Sequence, residues 1–251
     1  GVSATMTIAQ HALITSAASA NTVTLSDAGT VTGNAAVESY VLAAGSQSFT
    51  LGASGQNVTL DSTGSSGSVA ISTGTLTSVT GTLDDGTGND TIALTLATTG
   101  VDISGANTTD VSSVALASNV SATMTIAQHA LITSAASANT VTLSDAGTVT
   151  GNAAVESYVL AAAGSSAFTL GDDTQSVTTG GSGTDTIVVG TRTLTGTFTT
   201  VSGDTVSLDT GANISGVDGE GVGAGSALNA DKLTLVSGAS VTMTAAQNNG
   251  F

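Results

Sequence analysis

The sequence predicts an all-β protein whose chain winds as a parallel β-solenoid, a β-helix or β-roll, built from tandem repeats. Two observations carry this prediction. Residues 2–44 recur without change at residues 120–162, an offset of 118 residues. Short strand-like segments also follow one another at a spacing of nine residues within each repeat. Such self-similarity is typical of repeat proteins, in which each unit packs against its neighbours in sequence.

A third, degraded copy of the repeat begins near the end of the chain. Residues 240–247 (SVTMTAAQ) correspond to residues 121–128 (SATMTIAQ) at an offset of 119 residues. The additional residue is visible where LAAG in the first copy has become LAAAG in the second. We therefore predict a first repeat over residues 1–118, a second over residues 119–237 and the start of a third over residues 238–251.

The first part of each repeat alternates small polar residues with aliphatic ones. This alternation predicts strands at residues 5–8, 22–25 and 30–32, with turns at residues 26–29 and 33–34. The alanine-rich residues 8–20 and 35–44 are compatible with short helices, and Asn34 is a candidate N-cap for the second of them. Within that second segment we favour a strand at residues 40–42.

The second part of each repeat divides into nine-residue units. They cover residues 43–51 and 52–60 in the first repeat, and residues 162–170, 171–179 and 180–188 in the second. Nine residues accommodate one turn and one short strand, so two units close a coil and the third lies above the first. The alternative is a tandem array of immunoglobulin-like β-sandwich domains, because the alanine-rich half of each repeat shows this spacing poorly.

The composition narrows the class of protein. Charged residues make up only 8% of the chain and aromatic residues 2%, so small side chains must fill thin layers. The absence of cysteine excludes disulfide bridges and thiolate metal sites. A net charge of −16 argues against a nucleic-acid partner and against an anionic membrane surface. No apolar run is long enough for a transmembrane segment.

One nine-residue unit has a distinctive pattern. In GGSGTDTIV, Gly180, Gly181, Gly183, Asp185 and Ile187 fill every defined position of G-G-x-G-x-D-x-U-x, where U is a large aliphatic residue. This pattern resembles the nonapeptide of the RTX (repeats-in-toxin) family. The resemblance implies a parallel β-roll in which Asp carboxylates and turn carbonyls hold calcium between successive coils. The competing interpretation is a turn with flexible glycines and a solvated Asp.

A second stretch, DGTGNDTIA at residues 85–93, matches the same pattern in part. Carried over by position, the resemblance makes Asp185 and Asp90 metal ligands. It adds backbone oxygens of the two turns, from Gly180, Ser182, Gly183, Asp85 and Gly88. A calcium site of this kind needs a matching turn about eighteen residues away. Asp204 stands one residue out of that register, and positions 72 and 167 are Ser and Ala.

The acidic, cysteine-free and Gly/Thr/Ala/Ser-rich sequence resembles the repetitive regions of large RTX-type secreted adhesins and surface-layer proteins of bacteria. The resemblance implies an extracellular or cell-surface location and a structural role in adhesion, a cell coat or a biofilm matrix, without catalysis. It implies self-association of stiff rods into filaments or sheets, stabilised by calcium. Cell-surface glycans are a further candidate partner.

Two other functions remain open. Recurrent T-x-T pairs, such as those at residues 22–24 and 140–142, resemble the Thr ranks of ice-binding solenoids. The structural interpretation of these pairs is that Thr is a favourable outward-facing residue in strands. A polysaccharide-acting parallel β-helix enzyme would place clustered Asp with Arg or Lys on one face. The chain offers only Arg192 and Lys232 for that purpose.

Overall fold

The structure, a computed structural model, describes residues 1–43, 47–61, 67–87, 90–219, 223, 225, 227–228 and 232–249. The chain divides into two compact units. The first unit comprises Gly1–Thr123 with Ala127–Ala135, and the second comprises Met124–Ile126 with Ala136–Phe251.

In the described part of the chain, the regular elements are short strands and three single-turn helices. The first elements are β1 (Ser3–Met6), α1 (Ile8–His11), β2 (Thr22–Leu25), β3 (Thr30–Thr32), β4 (Ser39–Leu42), β5 (Gln47–Thr50), β6 (Asn57–Leu60), β7 (Ser68–Ser72), β8 (Leu83–Asp84), β9 (Thr91–Leu96), β10 (Val101–Asp102), β11 (Val111–Leu116), β12 (Ser121–Met124), α2 (Ile126–His129) and β13 (Ile132–Ala135). They are followed by β14 (Thr140–Leu143), β15 (Thr148–Thr150), β16 (Ser157–Val159), β17 (Ala167–Thr169), β18 (Ser176–Thr178), β19 (Thr186–Gly190), β20 (Thr197–Thr199), β21 (Thr205–Leu208), β22 (Asp218–Gly219), β23 (Lys232–Leu235) and α3 (Ala245–Asn248).

From β2 onward, strands that follow one another in the sequence alternate between parallel sheets. In the first unit, one sheet has the order β1-β2-β4-β6-β8 and another has β3-β5-β7-β9-β11-β13, while β10 pairs with β12. In the second unit, the strands β14-β16-β18-β20-β22 form one sheet and β15-β17-β19-β21-β23 the other. Each unit is therefore a parallel β-solenoid, as predicted. The sandwich alternative is wrong, because the sheets join strands of successive coils in parallel.

The coils are less uniform than the nine-residue spacing predicted. Contacts between one coil and the next join residues that are 17 apart at Asn21 and Glu38, 19 apart at Ser166 and Asp185, and 25 apart at Ile103 and Gln128. The strand ladders hold their register while the connecting loops absorb the difference in length. The eighteen-residue coil that two nine-residue units predict is observed where Thr30 pairs with Ser48 and Ser39 with Asn57, but not at these three contacts.

The core consists of stacks of inward-facing side chains, and each coil adds one side chain to a given stack. Val23, Tyr40 and Val58 are in register on β2, β4 and β6, and each is at most 4% exposed. The ring of Tyr40 also packs against Phe49 with centroids 4.8 Å apart. The alternation of buried and half-buried residues, such as iBiB in β2 and β4, is what the two-residue period of the sequence predicts.

The alanine-rich segments fold differently from each other. In residues 8–20 only α1 is helical, and it begins at a capping box formed by Thr7 and Gln10. The strand favoured at residues 40–42 is confirmed as part of β4. The prediction that Asn34 caps a helix is wrong: its Oδ1 accepts the N–H of Ala36 at 2.9 Å within a turn.

Candidate metal centre

Asp185 lies directly before β19 and is fully buried. Its Oδ1 accepts the backbone N–H of Ser166, 2.7 Å away in the preceding coil. Its Oδ2 faces the N–H of Gly180, 3.4 Å away in its own turn. The carboxylate predicted to bind a metal ion therefore connects two coils through backbone donors.

Asp204 repeats this arrangement one coil later, and it too is fully buried. Its Oδ1 accepts the N–H of Asp185 at 2.8 Å, and its Oδ2 accepts the N–H of Val201 at 2.9 Å and the hydroxyl of Thr179 at 2.5 Å. Thr186 is the register partner of Thr205, so the two Asp residues occupy equivalent positions. The prediction that Asp204 is out of register is wrong, because the coil here has 19 residues.

Burial raises the pKa of Asp185 above its ordinary value of 3.8, and the nearby charge of Asp204 raises it further, although the N–H groups of Ser166 and Gly180 oppose the shift. A carboxyl whose pKa is raised by folding stabilises the protein most below its unfolded pKa. That contribution disappears as the pH rises through the folded pKa.

We expect Asp185→Asn to flatten the pH dependence of stability. Asn keeps an oxygen for the N–H of Ser166 but does not ionise. The melting temperature of the natural protein should fall relative to that of the variant as the pH rises from about 4 to 7. Thermal melts across that range measure the difference between the two proteins. Parallel profiles would contradict the role of Asp185.

The glycines of this turn permit close approach to the coil beneath. The Ser182 N–H donates to the carbonyl oxygen of Ala162 at 3.3 Å. A Cβ at Gly183 would lie 1.5 Å from the carbonyl oxygen of Gly164, so no side chain fits there. Gly181 has a φ of +57°, in the left-handed region that favours glycine. The backbone of this turn can therefore pack directly against the coil beneath it.

The structure places the ligands predicted in the second turn, Asp90 and Asp85, in different surroundings. Asp90 is 6% exposed and its Oδ1 accepts the N–H of Gly67 from the preceding coil, as Asp185 does with Ser166. Its counterpart is therefore Gly67, 23 residues away, and not position 72. Asp85 is half-buried and belongs to a different cluster. Gly88 lies outside the described residues.

Asp85 forms a cluster with Asp84 and Asp110. Carboxylate oxygens of the three residues lie within 4.8 Å of one another, and all three side chains are half-buried. Partial burial raises the pKa of Asp85, and the charges of Asp110, Asp84 and Asp90 raise it further. A group of three carboxylates offers hard oxygen ligands. This cluster could hold a metal ion.

The sequence pattern indicates Asp85 as a ligand, but it does not single out Asp84 or Asp110. Thr82 pairs with Asn107, and this register places Asp110 one coil above Asp85. The sequence does contain the relevant pattern. The doublet Asp84-Asp85 is followed by Asp110, which lies one coil of 25 residues after Asp85. A spacing of eighteen residues does not reveal this pattern, because the coil here is 25 residues long.

The two basic side chains lie apart from this cluster in the sequence. Arg192 pairs with Asp173 at 3.1 Å, and both side chains are well exposed. Lys232 is the first residue of β23.

Comparison with known proteins gives no match: no family model, no curated protein and no solved structure matches the chain. Among the described residues, none of the helices has the length and apolarity needed to cross a membrane.

Proposed function

We propose that this chain is a non-catalytic structural repeat segment that forms a stiff rod or filament outside a bacterial cell, in adhesion, a cell coat or a biofilm matrix. The observation that supports it most is the way in which each coil is bound to the preceding one. Parallel ladders join the backbones of successive coils along the sheets of each unit. An array whose units bind their neighbours can be extended by adding repeats.

Buried amide side chains add to this connection. We call Gln56, Gln128, Gln175 and Gln247 the bridging glutamines. Each has its Nε2 donating to two carbonyl oxygens of an earlier coil, as in Gln175 to Asn152 at 2.7 Å and to Val155 at 2.9 Å. They are at most 3% exposed. A buried amide that satisfies buried carbonyls fixes the distance and angle between coils.

Calcium stabilisation belongs to the same proposal. The carboxylates of Asp84, Asp85 and Asp110 come from two coils and repel one another unless a cation or protons neutralise them. A divalent ion bound there would connect those coils and stabilise the folded state in proportion to its concentration. Calcium is the hard cation that the RTX resemblance indicates.

The test is a thermal melt by circular dichroism with millimolar calcium and again with a chelator, followed by negative-stain imaging. We expect a higher melting temperature and rods or sheets with calcium. Asp110→Asn should abolish most of the shift, while Asp209→Asn, a change of the same type in another loop, should retain it. An equal melting temperature in calcium and chelator would contradict calcium stabilisation. Isolated particles without rods in both samples would contradict the filament.

Ice binding has weaker support. Thr140 and Thr142 are half-buried on β14, but their register partners on β16 are Ser157 and Val159. An outward rank of Thr is therefore interrupted within one coil.

Adhesion to cell-surface glycans would be tested by glycan-array binding of the assembled rods.

A further inference from the structure

The strand β3 has one backbone edge without a neighbouring strand. On its other side it pairs with β5, and the N–H of Gly33 donates to the carbonyl oxygen of Thr50 at 2.8 Å. In a parallel ladder, alternate residues direct their N–H and C=O groups to opposite sides. These groups of Thr30 and Thr32 therefore point away from β5, and β3 is the end strand of its sheet.

This edge does not arise from where the sequence begins. The strand β15 has the same sequence in the second copy, and β12 and β13 precede it in the chain. It is nevertheless also the end strand of its sheet. Thr148 and Thr150 of β15 are exposed, as Thr30 and Thr32 of β3 are. Among the described strands, each copy of the repeat therefore contains one such open edge.

The open edge of β3 borders a groove of about 410 Å³. The helix α1 lines the opposite side through Ile8 and His11, and Ile14 follows it. The Nδ2 of Asn34 donates to the carbonyl oxygen of Ile14 at 2.9 Å and joins the two sides just after β3. The groove therefore runs beside the unpaired backbone groups and is lined by residues of two successive coils.

Buried hydrogen bonds hold the walls of this groove in place. The Nε2 of His11 lies 2.9 Å from the hydroxyl oxygen of Tyr40, and the same hydroxyl accepts the N–H of Asn34 at 2.6 Å. His11 is 6% exposed and Tyr40 is 1% exposed. Because the helix and the turn after β3 are bound to one buried ring, a ligand meets a preformed groove, which lowers the entropic cost of binding.

The part of the sequence that builds the groove is the part that both copies share without change. All its lining residues lie between positions 8 and 34, inside the identical residues 2–44. The remainder of the repeat has diverged: at the offset of 119 residues, Gln47 and Asn57 correspond to Ser166 and Ser176. Coils that only stack tolerate such exchanges, as both copies show. The identity of residues 2–44 therefore indicates a role beyond the stacking of coils.

We propose that the open edge of β3 binds an extended segment of a partner protein, which adds to the sheet as a parallel strand. Main-chain hydrogen bonds supply the affinity in such strand addition. The residue of the segment beside Val31 donates its N–H to the carbonyl oxygen of Thr30 and accepts the N–H of Thr32. The equivalent edge of β15 binds a second segment. The site does not depend on the assembly of rods.

The lining of the groove defines the chemistry of that segment. Because β3 is three residues long, the paired part is equally short. Val31 is 6% exposed, and Ile8 and Ile14 line the groove, so the middle side chain of the segment is aliphatic. Its neighbours lie beside the exposed Thr30 and Thr32 and are small and polar. None of the lining residues is Asp, Glu, Lys or Arg, and the net charge of −16 repels an acidic segment.

A capped synthetic peptide with the sequence of residues 21–26, NTVTLS, has this pattern and serves as the probe. The complete chain, labelled with ¹⁵N, is titrated with the peptide up to millimolar concentration and followed by NMR. We expect the amide signals of Thr30, Thr32, Thr148 and Thr150 to shift. Their hydrogen exchange should slow when the peptide is bound, because the amides become hydrogen-bonded.

Methyl groups on single amides of the peptide test the pairing itself. In the proposed register the N–H of the peptide valine faces the carbonyl oxygen of Thr30, whereas the N–H of the next threonine faces away from β3. We expect methylation of the valine amide to weaken binding about tenfold or more, and methylation of the threonine amide to weaken it less than about threefold.

A matched pair of protein variants tests the other partner. Thr32→Pro combined with Thr150→Pro removes an N–H from each open edge, and proline is tolerated in an edge strand where its nitrogen faces away from the sheet. Thr32→Ala combined with Thr150→Ala removes the same side chains but keeps the N–H groups. We expect the proline variant to lose binding about tenfold or more and the alanine variant to retain it.

The absence of any shift at millimolar peptide would overturn strand addition. Equal affinities of the two methylated peptides, full binding by a folded proline variant, or shifts confined to other strands would overturn it as well. If the proline variant fails to fold, the two methylated peptides still decide. Rod formation is measured separately by imaging, so the proposed function stands or fails independently of this site.

Discussion

Replacing Gln128 by alanine is expected to lower the free energy of unfolding by about 3 kcal/mol, while the same change at Gln10 costs less than about 1 kcal/mol. The two glutamines occupy identical positions in the duplicated sequence and both lie on a single-turn helix. The intrinsic helix propensity of the surrounding residues is therefore the same for both. The difference in effect isolates the contact between coils.

The physical reason is that two carbonyl oxygens lose their hydrogen-bond donor when Gln128 is replaced. The Nε2 of Gln128 satisfies the oxygens of Ile103 and Ala106, and the side chain is 3% exposed. Alanine leaves both oxygens without this donor and opens a cavity of several atoms, and each buried unsatisfied group costs about 1–3 kcal/mol. Within the described residues Gln10 makes only the local bonds of the capping box, so its loss resembles the loss of a helix cap.

Urea unfolding of the two variants at low protein concentration, where the chain is monomeric, measures the comparison. Gln128→Glu provides a further check, because it keeps the shape but replaces the donor by a charge facing carbonyl oxygens. We expect it to be at least as destabilising as alanine. Equal losses for Gln10→Ala and Gln128→Ala would show that the glutamine acts within its own helix and not between coils.

The architecture could be predicted from the sequence, because it depends on features that repeat. The duplication and the alternation in segments such as residues 22–25 specify strands with one buried face, and β2 and β14 have the same burial pattern. The remaining secondary structure depends on which neighbouring strand a segment can pair with. Residues 132–135 are a strand and residues 14–17 are not, although their sequences are identical. No local pattern distinguishes them, since the partner strand makes the difference.

The candidate site was harder to predict, because it depends on coil length. Asp85 and Asp110 come together only in a coil of 25 residues, and Asp185 and Asp204 align only in one of 19 residues. Loops that vary in length leave the strand pattern unchanged, so the sequence contains no direct count of the coil. The bridging glutamines were missed for a related reason: a single Gln in a turn resembles any other polar loop residue.

Asp204→Ala is expected to lower the free energy of unfolding by about 3–4 kcal/mol, the largest effect of any single carboxylate in the described part of the chain. The Asp204 carboxylate is fully buried and accepts three hydrogen bonds from two coils. Alanine would leave the N–H groups of Asp185 and Val201 without this acceptor. Asp209→Ala is the matched control at the other end of β21, where the side chain is half-buried, and it should cost less than about 0.5 kcal/mol.

The same variant separates two roles for the buried Asp row. If Asp185 and Asp204 act through the backbone donors that they contact, the loss in Asp204→Ala is equal in calcium and in chelator. A loss that appears only with calcium would instead make these carboxylates metal ligands, as the RTX resemblance implies. Because protein donors already occupy both oxygens of Asp204, we expect the losses to be equal. Ion-dependent stability should then follow the half-buried cluster of Asp84, Asp85 and Asp110, where three carboxylates lie close together and repel one another.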